Sequence, residues 1–127
     1  MKKIIATSDA PQAIGPYSQG ILAGNTLYVS GQLPADPATG AIPEGIAAQS
    51  ARALDNMRAI VRAAGGDLAD VVKTTVLLAD MADFAAMNEV YARYFTSGQP
   101  ARATFQAARL PKDALIEIEA IAVIGNF

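Results

Sequence analysis

The sequence contains neither cysteine nor histidine. Without cysteine there is no disulfide, no thiol nucleophile and no redox switch. Without histidine there is no Ser–His–Asp triad and no imidazole to ligate a metal. Charge is sparse as well: 17% of the residues are charged, the net charge is −2 and the pI is about 4.9. No run of lysine or arginine breaks that balance, which argues against nucleic acid as the main partner. No stretch approaches the roughly 18 apolar residues that a membrane-spanning helix needs. The basic start Met1-Lys2-Lys3 leads into Ile4-Ile5, but the apolar run ends at once and Ser8-Asp9 follows, so it does not read as a targeting segment. A soluble, cytoplasmic protein is the expectation. Repeats, low-complexity tracts and linkers are missing too, and residues 1–127 read as one domain.

What the chain has in quantity is apolar surface. A hydrophobic content of 52% is high for a lone domain of 127 residues, which buries about two-thirds of its unfolded surface. Either a generous core or an oligomer interface absorbs the excess. Local patterns then give the elements. Lys2 to Ala6 reads as an edge strand, and Pro11 and Gly15-Pro16 keep the next stretch extended. Gly20–Ala23, a Gly24-Asn25 turn and Thr26–Ser30 read as a hairpin. A loop with Asp36-Pro37 and Thr39-Gly40 follows. The spacing of Ala53, Leu54, Met57, Ile60, Val61 and Ala64 predicts a helix over 44–64, stopped by Gly65-Gly66. Val71–Leu78 reads as a strand. Asp80 then caps a second helix whose apolar stripe is Phe84, Met87, Tyr91 and Phe95.

The stretch from Pro100 to Val123 reads as two strands joined by a turn at Leu110-Pro111-Lys112-Asp113. Alternation puts Arg102, Thr104 and Gln106 on one face of the first strand. In the second strand Ile116, Ile118, Ala120 and Ala122 share a face, leaving Glu117 and Glu119 on the other. Treated as a hairpin, the pair presents an arginine and two glutamates on one sheet face among apolar residues. Such charges must be paired, solvated in a cleft or bound to a ligand. Two readings stay open: a cross-strand ion pair that sets register, or Arg102 and a glutamate flanking one small molecule. Elsewhere, Tyr17 reads as an ordinary half-buried aromatic. Ser30-Gly31, at a strand end, is equally turn chemistry.

Three motifs go further. They are Ala13-Ile14-Gly15-Pro16-Tyr17-Ser18-Gln19-Gly20 with Val29-Ser30-Gly31-Gln32-Leu33-Pro34; Val72-Lys73-Thr74-Thr75-Val76 with Asn88-Glu89-Val90-Tyr91; and Pro100-Ala101-Arg102 with Arg109-Leu110-Pro111 and Ile116-Glu117-Ile118-Glu119-Ala120. In order and spacing they resemble the signature of the RidA/YjgF family of reactive-intermediate deaminases, over nearly the whole chain. The resemblance implies an α+β, chorismate-mutase-like fold: a sheet of about six strands with two helices on one face, assembled as a homotrimer with clefts between subunits. It implies hydrolysis of 2-aminoacrylate, 2-iminopropanoate and 2-iminobutanoate to 2-keto acids and ammonia, with no metal or other cofactor. Arg102 would clamp the substrate carboxylate and Glu117 would manage protons and water. Tyr17 and Ser30 would orient the substrate, with backbone near Gly31 and Thr104 completing the polar wall.

Two departures from the family pattern stand out. Thr104 occupies a position where many relatives carry cysteine, and Gln99 replaces an aromatic residue before Pro-Ala-Arg. Alternatives are a larger enamine substrate, or a non-catalytic, chaperone-like trimer that binds small carboxylates. Some relatives are described as ribonucleases, but no basic groove is legible here.

Overall fold

Gly24 has a φ of +60°, where a residue without Cβ carries no steric penalty. It turns β2 (Gly20–Ala23) directly back into β3 (Thr26–Gln32), as the predicted hairpin requires. The structure, a computed structural model, describes residues 1–125. The remaining strands are β1 (Lys2–Ile5), β4 (Val71–Leu78), β5 (Ala101–Gln106) and β6 (Ile116–Val123), and the helices are α1 (Ile46–Ala63) and α2 (Phe84–Tyr94). All six strands join one mixed sheet in the order β1-β2-β3-β6-β4-β5.

Helix α1 buries Ala53, Leu54, Met57, Ile60 and Val61, the stripe read from the sequence, and Gly65 at φ +96° follows its end. Asp80 accepts a hydrogen bond from the Ala82 N–H, capping a 3-10 turn that leads into α2 at Phe84. Against the two helices lie Leu27 and Val29 of β3, Val76 and Leu78 of β4, and Ile116 and Ile118 of β6. Each large aliphatic side chain buried this way contributes roughly 1.5–3 kcal/mol. The helices thus cover one face of the sheet, the expected α+β layering.

The expected hairpin at the C-terminal end is absent. β5 pairs in parallel with β4, and β6 pairs antiparallel with the other side of β4. Strand β4 therefore stands between the two strands that were read as neighbours. The cause is α2: a strand–helix–strand unit returns the chain parallel to its first strand. The segment after β5 then crosses to the far side of β4. The Ala107 N–H donates to Leu78 O and the Ala79 N–H to Leu115 O, so both ladders extend just past the strand ends.

Register now decides which face each charge occupies. Arg102 stands level with Thr74, and Thr74 with Ala120, both buried on the helix side. Glu117 stands level with Leu77, which is level with the exposed Phe105 on the opposite side. The placement of Arg102, Thr104, Glu117 and Glu119 on one face is thus corrected: arginine and threonine lie on the helix face, both glutamates on the open face. That open face also carries Tyr28, level with Ile121, and Phe105. Tyr28 and Phe105 are half exposed. Two bulges flank β6. Ser30-Gly31 oppose Glu119 alone, and Val72 is an extra residue between the paired Val71 and Lys73.

Candidate active site

Arg102 projects from the edge strand β5 into the angle between sheet and α2. Its guanidinium carbon lies 4.8 Å from the Tyr91 ring centre and 5.6 Å from that of Phe84. No salt bridge among the described residues engages it. It lines a hollow of about 440 Å³ with Asn88, Tyr91, Phe95, Gln99 and Pro100. One step along β5, the Thr104 hydroxyl oxygen is buried and has no hydrogen-bond partner among the described residues. This half can receive an anion: a free planar fork offers paired N–H donors that match a carboxylate.

Glu117 sits half-buried on the open face. Burial, and secondarily the charge of Glu119, push its pKa above the ordinary carboxylate range. A carboxyl held this way takes up and releases a proton more readily near neutrality. Gly31 explains how it fits. A Cβ there would collide with Glu117 Oε2 and stand 2.9 Å from its Cδ. The bulge brings a side-chain-free stretch of backbone against the carboxyl group.

Around that bulge the N-terminal segment is laced down. The Ser30 hydroxyl donates to Ser18 O at 2.5 Å, and the Ser30 N–H donates to Gln19 O at 2.9 Å. Buried Gln19 accepts from the Thr7 N–H and donates to the carbonyls of Thr7, Ala10 and Pro11. The proton of Ser30 is thus committed to structure, and its lone pairs are what it can offer a ligand. Tyr17 is exposed, and lines a cleft of about 90 Å³ with Gly31, Gln32, Ile14 and Lys112. Lys112 and Asp113 both take positive φ, 58° and 54°.

The expected residues therefore fall into two groups. Tyr17, Ser30, Gly31 and Glu117 gather around the bulge, while Arg102 and Thr104 gather under α2. The two hollows share no lining residue. Sequence reasoning missed Phe84 and Tyr91 as neighbours of Arg102, because Met and aromatic residues at helical spacing read as core. The signal was available: a helix between two parallel strands lies over both of them. A larger groove of about 660 Å³, between Asp55, Arg58, Asp67, Arg93 and Tyr94, holds none of the expected residues. There Arg58 pairs with Asp67, which Arg62 also reaches, and Arg58 first, then the Leu68 N–H and Arg62, hold its pKa down to about 2. Among the described residues no cluster of His, Cys, Asp or Glu is placed to hold a metal ion, and no helix is long and apolar enough to cross a membrane.

A mixed sheet with two helices on one face, an arginine without an ion-pair partner among the described residues and a half-buried glutamate of raised pKa are what this fold brings together. The protein-family model described as Endoribonuclease L-PSP matches residues 7–124, and the chain belongs to that family, the RidA/YjgF family. A RutC family protein of Pyrococcus horikoshii is 58% identical over 96% of this chain and 98% of its own. The 2-iminobutanoate/2-iminopropanoate deaminase of Bos taurus is 55% identical over 98% of this chain and 92% of its own. The crystal structure of Escherichia coli TdcF with bound serine superposes with a TM-score of 0.94 at 48% identity, covering 97% of this chain and 99% of that one.

Proposed function

We propose that this chain hydrolyses 2-imino acids and their enamine tautomers to 2-keto acids and ammonia, as a single-domain protein working in the cytoplasm as a homotrimer. 2-Iminopropanoate and 2-iminobutanoate are the substrates that the names of its relatives point to. The observation that carries the reading is a guanidinium without a salt bridge among the described residues and a carboxyl of raised pKa, set on opposite faces of one sheet. One chain cannot close both around a small molecule. A second copy, packed through the open face with its exposed Tyr28 and Phe105, supplies the missing half. Each site then takes Arg102 and Thr104 from one chain, and Glu117, Gly31, Ser30 and Tyr17 from the next.

The chemistry follows from the roles. Arg102 holds the substrate carboxylate by two parallel hydrogen bonds. An enamine gains a solvent proton at its terminal carbon and becomes the protonated imine. Water adds to the imine carbon, Glu117 taking its proton as the C–O bond forms. The same carboxyl returns that proton to nitrogen; as the C–N bond breaks, the hydroxyl loses its proton to the carboxylate to form C=O, and ammonia takes that proton up and leaves with the keto acid. Water is the only co-reactant, and protonation of the imine nitrogen makes its carbon electrophilic enough for modest catalysis.

The first test generates 2-aminoacrylate or 2-iminobutanoate in situ and follows its loss. Acceleration supports the deaminase reading; unchanged decay with tight pyruvate binding leaves a carboxylate-binding protein. The second test mixes separately inactive Arg102→Ala and Glu117→Gln chains after subunit exchange. In a random ring of three, each mixed trimer regains one complete site, so activity should return to about a quarter of the parent's. No recovery after demonstrated exchange would place both residues in one chain's site and overturn the split.

A further inference from the structure

We infer that Phe84 and Tyr91 are positioning residues for the arginine clamp: two aromatic faces, rather than a carboxylate, hold the Arg102 guanidinium in place. This rests on Arg102 binding the substrate carboxylate. An arginine on an edge strand needs something to fix its long side chain, and an acidic partner is the common solution. Here the ring centres of Tyr91 and Phe84 stand 4.8 and 5.6 Å from the guanidinium carbon, within cation–π range. The lining of the hollow includes no acidic residue.

Tyr91 is itself immobilised. Its hydroxyl shares a 2.7 Å hydrogen bond with Thr74 Oγ1, buried in the core, and its ring packs 4.7 Å from that of Phe95. Thr74 is the residue level with Arg102 on the neighbouring strand, so the tie that fixes the ring is anchored beside the arginine it supports. Burial pushes the Tyr91 pKa up, which keeps the phenol neutral. The ring therefore attracts the cation without discharging it. The consequence for binding is direct. A π face leaves the guanidinium N–H donors available, whereas a carboxylate would occupy two of them and compete with the substrate. The cradle orients the fork and preserves its full charge for the incoming anion.

The test measures pyruvate binding, imine turnover and melting temperature on Phe84→Leu, Tyr91→Leu and Tyr91→Phe, with Arg102→Ala alongside. Phe84 is half-buried, so its leucine variant should remain folded even where Tyr91→Leu does not. Phe84→Leu and Tyr91→Leu should weaken pyruvate roughly 2- to 30-fold. KM should rise with them more than kcat falls. Tyr91→Phe restores the ring and should recover most of the affinity, although it breaks the bond to Thr74. Lower melting temperatures with parental pyruvate affinity would assign both rings to the core alone and overturn the inference. If Arg102→Ala itself binds pyruvate like the parent, the clamp reading fails, which is a separate result.

Discussion

Around Arg102 the walls are side chains: two aromatic rings, a threonine in the core and a helix laid over the strand edge. Around Glu117 the wall is backbone: a bulge, a glycine with no room for Cβ, and a loop tied down by one buried glutamine. The first half keeps a positive charge unneutralised. The second destabilises a negative one, by burial and by a neighbouring glutamate. Carboxylate recognition needs a rigid, fully charged fork, and proton transfer needs a carboxyl that is willing to be neutral. On the proposed mechanism the two environments supply these opposite requirements, and the sheet between them keeps the arginine from pairing with the glutamate of its own chain.

The largest expected effect comes from removing the charge. Arg102→Ala should abolish detectable deamination with little change in melting temperature, since no salt bridge is lost. Arg102→Lys should rescue little, because an ammonium cannot present two parallel donors. A large drop in stability, of the 3–5 kcal/mol that follows an orphaned buried partner, would instead make Arg102 structural. Next comes Glu117→Gln, which keeps shape and loses the proton. Turnover should fall about 10²- to 10⁴-fold with pyruvate binding retained; near-normal turnover would shift the role to Glu119 or to water.

Gly31→Ala tests the backbone wall. The clashing atoms are the end of a flexible side chain, so the fold should tolerate the change while the carboxyl swings away. We expect a roughly 10- to 100-fold loss of kcat, since small misplacements of a reacting group are costly, and a melting temperature close to the parent's. A large fall in stability with kcat preserved would mean that the glycine serves the strand alone.

The smallest effect concerns stability and pH. Because the Glu117 pKa is raised on folding, the native chain retains a proton that the unfolded chain has lost between the ordinary carboxylate value and the raised one. Stability therefore falls as pH rises through that interval. Glu117→Gln removes this titration, so the variant should melt slightly higher at pH 7 and show a flatter profile above the ordinary carboxylate range. Superimposable profiles would show that the group is not strained by burial.

Much of this was legible in the sequence, because much of it is local. Helix stripes, the Gly24 turn, the Asp80 cap and the alternation within each strand are set by neighbours a few residues apart. The partners of β5 were legible only in the order β4, α2, β5, a signal that the turn residues after β5 outweighed. Leu110-Pro111-Lys112-Asp113 carries the residues of a tight turn and does fold as one, with Lys112 and Asp113 in the left-handed region. Yet a turn does not choose which strand its flanks pair with; here α2 had already committed β5 to β4. That one long-range decision moved Arg102 to the other face and brought Tyr91 beside it. The family motifs marked Arg102 and Glu117 as a pair without revealing that a sheet divides them.

The two bulges beside β6 carry a consequence for how this chain tolerates change. β6 alternates without interruption, while each neighbour carries one residue more than the stretch it faces. Parity is thereby reset: Val29 and Gln32 both point inward although three positions apart. Length matters here more than identity. Deleting a single residue between Val29 and Gln32 would mend the ladder and leave every remaining side chain chemically unchanged. Val29 and Gln32, then two positions apart, would both still face inward, and what would be lost is the bare backbone that the bulge lays against Glu117. In the regularly paired stretches a change of one in the count is a change of face; at the bulge it is the loss of the wall behind Glu117.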